Sequence, residues 1–229
     1  MIAPRILPFG DRALLVEVDS LDDVLLLYPL LEAARRDGIT ELVPAARSVL
    51  VSVDPARLSL GAAERWVYEA VGDSAAGTGG RAADAAQPSE TTPVTIPVHY
   101  DGADLGDVAR VLGITADEVI RRHTAAAWRV AFIGFAPGFA YLASTPATFE
   151  VPRRSTSRPS VPAGSVGLAG EFTGIYPRPS PGGWQLIGRT DSTLWDVTRP
   201  NPALLVPGML VQFAPVDDRD APVTRETRS

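Results

Sequence analysis

Apolar and polar positions along the chain change period several times, and each change marks an element. Arg12–Val18 and Ser48–Val53 are short runs rich in β-branched and aliphatic residues, the pattern of strands. Between them, Ser20 with Asp23 three residues on opens an amphipathic run that reaches Arg36 and closes at Gly38. Pro29 lies inside that run and predicts a kink or break, because proline lacks a helical donor and crowds the preceding turn. Ser59 precedes a second helical run to about Val71, with Ala62, Trp66 and Ala70 on one face. Strand, helix, strand, helix predicts a small α/β sandwich over residues 1–72.

From Gly72 the sequence turns to Ala, Gly, Ser and Thr without apolar period, so residues 73–92 read as a flexible linker. Val94–Val98 is strand-like, Leu105–Leu112 is helical, and Thr115 with Glu118 opens a further helix. From Trp128 short apolar strands alternate with Pro and Gly turns as far as Ala203–Phe213, which fits a compact barrel over residues 93–217. Residues 218–229 form a charged tail expected to fray. The fold class is therefore α+β, a small α/β sandwich followed by a β-barrel.

Composition narrows the chemistry. A formal net charge of −6 gives no footprint for nucleic acid or an anionic membrane surface. No apolar run is long enough to span a bilayer, and Met1–Arg5 lacks the features of a secretory signal, so the expected location is the cytoplasm. The chain has no cysteine, which removes thiol nucleophiles and Cys-based zinc sites. All 21 basic residues are arginine, which removes a Walker-type lysine, Schiff-base chemistry and Ser-Lys amidases.

Several motifs invite chemistry. Ala163–Gly167 has the spacing of a nucleophile elbow, but Leu168–Gly174 after it makes a poor helix, so a turn or ligand-contacting loop is the better reading. His123 ends a predicted helix, where it suits the dipole; the functional alternative is proton transfer. His99 has less to recommend it, and the two histidines lack metal-ligand spacing, so no protein-only metal site is expected. Arg153, Arg154 and Arg158 lie between apolar strands and read either as a solvated loop or as a guanidinium clamp for carboxylate or phosphate. Phe135, Phe139, Tyr141 and Trp184 flank glycines, which fits a ligand-lined surface as well as ordinary core.

Three blocks in order carry a resemblance: Gly134–Leu142 (GFAPGFAYL), Val161–Gly167 (VPAGSVG) and Thr173–Thr190 (TGIYP, then PGGWQLIGRT). Together they resemble the 5-oxoprolinase B-subunit family, also called the allophanate hydrolase subunit 1 family, which includes the kinase inhibitor KipI. Ala140 stands where family members often carry proline. The resemblance implies a cyclophilin-like barrel behind a small α/β domain. It also implies a partner, the 5-oxoprolinase C subunit (allophanate hydrolase subunit 2-like), with the 5-oxoprolinase A subunit completing the complex.

The implied activity is ATP-dependent opening of the 5-oxo-L-proline lactam to L-glutamate, the amide oxygen being phosphorylated to make a better electrophile. ATP, with Mg, is a co-substrate of the complex, and its site is open between this chain and the partner. His123 and Arg154 are the candidate catalytic residues. Candidate substrate contacts are Phe135, Pro137, Gly138, Phe139, Tyr141, Arg158 and Pro162, with Gly164, Ser165, Val166 and Gly167 as amides for developing negative charge. Tyr176, Gly182, Gly183 and Trp184 complete them. Two other readings remain: a KipI-like inhibitor of a sensor histidine kinase, and an accessory component of an allophanate- or urea-type amidohydrolase.

Overall fold

The computed structural model describes residues 2–75 and 92–216. The chain divides into two compact units, residues 1–90 and 91–229. Most of the linker segment and the charged tail fall outside the described residues.

In the first unit a four-stranded antiparallel sheet has the order β1-β2-β4-β3, built from β1 (Arg5–Pro8), β2 (Ala13–Glu17), β3 (Ile39–Pro44) and β4 (Ser48–Val53). Val49, Val51 and Val53 alternate onto one buried face and pack with Val24, Leu27 and Leu31 of α1 (Leu21–Ala33) and with Ala63, Trp66 and Val67 of α2 (Leu60–Ala75). This is the two-layer α/β sandwich that the alternation predicts. Ser20 caps α1 by accepting from the Asp23 amide. Pro29 neither breaks nor ends α1, which stops at Ala33 rather than Arg36. α2 runs on to Ala75, so the helix takes in Gly72 and the start of the expected linker.

Two strands have no clear sequence signal. β1 is a four-residue edge strand ending in proline, too short to show a period. In β3 a register shift between Ile39 and Glu41 interrupts the two-residue alternation.

The second unit is the barrel. Its seven strands are β5 (Val94–Val98), β6 (Trp128–Ile133), β7 (Ala140–Ala143), β9 (Ser165–Ala169), β10 (Phe172–Ile175), β12 (Gln185–Arg189) and β13 (Leu210–Pro215), in the order β12-β9-β10-β7-β6-β13-β5. A two-stranded antiparallel sheet of β8 (Arg158–Val161) and β11 (Ser180–Gly182) stands apart from this one. Neighbours are antiparallel except β5 and β13, which run parallel. The two sheet edges meet through a backbone bridge, His99 to Arg189, with N–H···O distances of 2.8 and 2.9 Å. That bridge nearly closes the barrel and leaves little free edge. Gly188 permits the approach: a Cβ there would lie 2.5 Å from the His99 carbonyl oxygen.

Helices α3 (Leu105–Leu112) and α4 (Ala116–Ala125) follow β5; α3 has the predicted bounds and α4 the predicted start, with the Thr115 hydroxyl accepting from the Glu118 amide. Val108 and Ala109 of α3 and Val119 of α4 enter the barrel core beside Ile96, Trp128, Leu142, Leu168, Ile187 and Phe213. The Gln212 side chain on β13 donates to the Thr124 carbonyl and fastens the end of α4. Ala203–Pro207 is irregular, so the last strand starts later than the sequence pattern predicts.

Gly188→Ala is expected to lower stability by about 2–3 kcal/mol, as overpacking of a filled interior does. Gly61→Ala, in the first turn of α2 with no atom nearer than 4.0 Å to the new methyl, is expected to gain up to about 1 kcal/mol. Chemical denaturation of the two variants measures both changes.

Candidate functional site

Asp104 immediately precedes α3 and has the position of an N-cap, yet its side chain makes no cap bond. It is 2% exposed and turns inward, where Oδ2 accepts from the Leu186 amide at 2.7 Å. Oδ1 accepts from Arg154 Nη1 at 2.7 Å and from Arg158 Nη2 at 2.8 Å. Burial pushes this carboxyl up, but the Arg158 hydrogen bond, the Leu186 amide and the two guanidinium charges outweigh it and hold it below the usual range. The arginine clamp anticipated for an outside anion thus grips a carboxylate of the chain itself. Arg154 carries a second tie, its backbone amide donating to the Gly183 carbonyl at 2.8 Å. Arg154, a catalytic candidate in the sequence, is therefore ion-paired to Asp104 in the structure.

The glycine-flanked aromatic residues do converge. Phe139, Val161, Ala169, Tyr176, Trp184 and Leu186 form a core of their own, with Ala136, Tyr141 and Phe172 against it. Phe139 sits at the hub, its ring centre 5.0 Å from Tyr141, 5.3 Å from Tyr176 and 5.4 Å from Trp184, all edge-on. Phe139, Tyr176 and Trp184, named as substrate contacts from the sequence, are themselves buried. Gly182 and Gly183 are half-buried beside Tyr176 and Arg154.

Gly164, Ser165, Val166 and Gly167 are all buried. The Gly164 amide donates to the Tyr176 carbonyl and the Ser165 amide to Pro162, while Val166 and Gly167 lie in β9 between β10 and β12. Glycine at 164 answers a structural demand, since its φ is +79° and a Cβ would meet the Thr190 carbonyl oxygen at 2.2 Å. The expected cradle of free amides is therefore a central strand, which corrects that reading. Pro162 at the head of the strand is exposed.

What reaches the surface is the turn between β6 and β7. Pro137 is exposed, and Gly138 takes φ +82° against Leu194 and Trp195. Phe135 is 58% exposed and has φ +66°, a left-handed backbone that costs a bulky residue about 1–2 kcal/mol. Beside this turn Tyr141 is half-buried, and Arg153 is exposed next in sequence to Arg154.

His123 lies elsewhere, in the main barrel core, with no exposed surface. Its ring centre is 4.3 Å from Phe213 and 5.3 Å from Trp128. Nε2 lies 2.9 Å from the Thr173 hydroxyl, which in turn donates to the Gly167 carbonyl, so Nε2 carries the proton. Nδ1 then accepts from the Tyr100 hydroxyl at 2.7 Å. Burial pushes the imidazole down to about 3, which keeps it neutral. With both nitrogens engaged and no route to solvent, His123 serves the core here, and the proton-transfer reading is corrected on that ground.

A further cleft of about 430 Å³ lies in the first unit, lined by Ala3, Arg5, Glu17, Val18, Asp19 and Arg47. It contains none of the residues marked by the sequence blocks. Among the described residues no group of three or more His, Asp or Glu could hold a metal ion. No described helix is long and apolar enough to cross a membrane.

Residues 4–205 match the carboxyltransferase domain, subdomain C and D, family model, so fold and site together define this class. The chain is 40% identical over 185 residues to the 5-oxoprolinase B subunit of Escherichia coli O157:H7, covering 78% of each protein. This protein belongs to the 5-oxoprolinase B-subunit family. The crystal structure of TTHA0988 superposes with a TM-score of 0.68 at 34% identity; the match covers 95% of this chain and only 40% of that one. Kluyveromyces lactis urea amidolyase shares the fold, with a TM-score of 0.71 at 22% identity over 95% of this chain and 15% of its own.

Two measurements check the polar core. Because the imidazole is depressed in the folded state, its contribution is full above pH 6.5 and is lost as pH falls towards 3. Between pH 6 and 5 the unfolding free energy of His123→Gln is expected to fall less steeply than that of the natural protein, by about 1 kcal/mol per pH unit. Asp104→Asn, which leaves two partly covered guanidinium groups without their anion, is expected to cost about 2–3 kcal/mol in urea unfolding at pH 7.

Proposed function

We propose that this chain is the B subunit of an ATP-dependent 5-oxoprolinase that opens the lactam of 5-oxo-L-proline to L-glutamate together with the C and A subunits. The observation that carries this reading is the 40% identity over 185 residues to a protein named as a 5-oxoprolinase B subunit, spanning 78% of that relative. Opening a five-membered lactam is uphill, so the hydrolysis is coupled to ATP. The candidate site on this chain offers an exposed aromatic turn and guanidinium groups, which suit a small flat carboxylate substrate.

The same site does not suit a nucleotide triphosphate. Its glycine-rich amides are bound within the barrel, and the chain has no lysine to meet β- and γ-phosphates. ATP and its Mg are therefore assigned to the partner proteins. The role left to this chain is to hold and orient 5-oxoproline at a surface that the partners complete. The cytoplasm is the location that fits this metabolic role.

Reconstitution tests the proposal. With the cognate C and A subunits, ATP hydrolysis is expected to depend on 5-oxo-L-proline and to fall to background when this chain is omitted. Equal 5-oxoproline-dependent turnover by those two partners alone would contradict it.

A further inference from the structure

We propose that Arg153, the Tyr141 hydroxyl and the Phe135 ring form the subsite that receives 5-oxo-L-proline, with the substrate carboxylate on the Arg153 guanidinium; this rests on the function proposed above. Three arginines occur in this segment, and the fold separates them by role. Arg154 and Arg158 both close on Asp104. Arg153 is exposed, and among the described residues no carboxylate pairs with it.

The backbone on either side of it is nonetheless tied down. The residues on either side are tied to one short stretch: the Pro152 carbonyl accepts from Gln185 Nε2 at 3.2 Å, and the Arg154 amide donates to the Gly183 carbonyl at 2.8 Å. These two ties set the backbone of Arg153 opposite that of Trp184, whose ring centre lies 5.5 Å from Tyr141. Burial raises the phenols of Tyr141 and Tyr176, and the positive charge of Arg153 opposes that rise at both. The Tyr141 hydroxyl has no hydrogen-bond partner among the described residues.

Phe135 supplies the apolar wall. Its ring centre is 5.3 Å from Phe139, which in turn is 5.0 Å from Tyr141. An exposed aromatic ring on a left-handed backbone does little for folding, so its use lies in contact with something outside the chain. A guanidinium fork, a phenolic donor and a ring face match a carboxylate carried on a small flat ring. Tyr176 closes the floor without offering a free edge, since its hydroxyl is packed against Gly182.

The test uses the reconstituted complex. Arg153→Gln is expected to raise KM for 5-oxo-L-proline about tenfold or more, in line with loss of a charged hydrogen bond, with KM for ATP within about twofold. Arg153→Lys is expected to recover part of the loss, and Arg110→Gln on α3 to change neither constant. Phe135→Gly is expected to melt no lower than the natural protein while also raising KM for 5-oxo-L-proline. A folded Arg153→Gln complex with an unchanged KM overturns the subsite. If the natural complex does not turn over 5-oxo-L-proline at all, the function fails instead, and the subsite is judged by saturation-transfer NMR on the full chain. There, a 5-oxo-L-proline signal that disappears in Arg153→Gln, with none for carboxylate-free 2-pyrrolidone, supports it; no signal, or one the variant retains, overturns it.

Discussion

A carboxylate withdrawn from water needs compensating charge and hydrogen bonds, and the way Asp104 obtains them organises this half of the protein. One oxygen takes the Leu186 amide on β12, the other takes Arg154 and Arg158. The start of α3, an edge strand of the barrel and the arginine segment are thereby fastened at a single point. Two guanidinium groups of that segment close on the carboxylate, and the third, Arg153, is exposed. The geometry of the proposed subsite is a consequence of that internal pairing.

Glycine in this barrel serves approach between backbones more than contact with ligand. At Gly188 the edges of the sheet come together, and at Gly164 the chain turns against Thr190. The same composition that suggests a lined cavity is what a small, nearly closed barrel requires where strands cross tightly. Most aromatic residues of those blocks fill the interior, while Phe135 and, in part, Tyr141 rise to the surface. A ligand surface and a packed core are therefore built from the same blocks, one above the other.

Much of the architecture was legible in the residues. Strong alternation at Ser48–Val53 and Val94–Val98 located strands whose bounds the structure repeats, and clear caps at Ser20 and Thr115 located the starts of α1 and α4. β1 and β3 escaped because a short edge and a bulge erase the two-residue period. Pro29 sits in a continuous helix because α1 is held by Leu21, Val24, Leu27 and Leu31 in the core, and tertiary packing outweighs one missing donor. The site was legible in outline only. Sequence can gather Arg153, Arg154 and Arg158, but their division depends on Asp104, some 50 residues earlier, which nothing in the sequence pattern singles out and which the fold turns inward. His123 misled for a related reason: a histidine at a helix end is ordinarily exposed, and only the barrel core closing over α4 seals it.

The division of the arginines is the claim on which the rest turns, and a pair of double-mutant cycles in unfolding free energy measures it directly. Asp104→Asn combined with Arg158→Gln is expected to show a coupling of about 1–3 kcal/mol, as contacting charges do, and Asp104→Asn combined with Arg153→Gln a coupling near zero. Strong coupling of Asp104 to Arg153 with none to Arg158 would contradict the account.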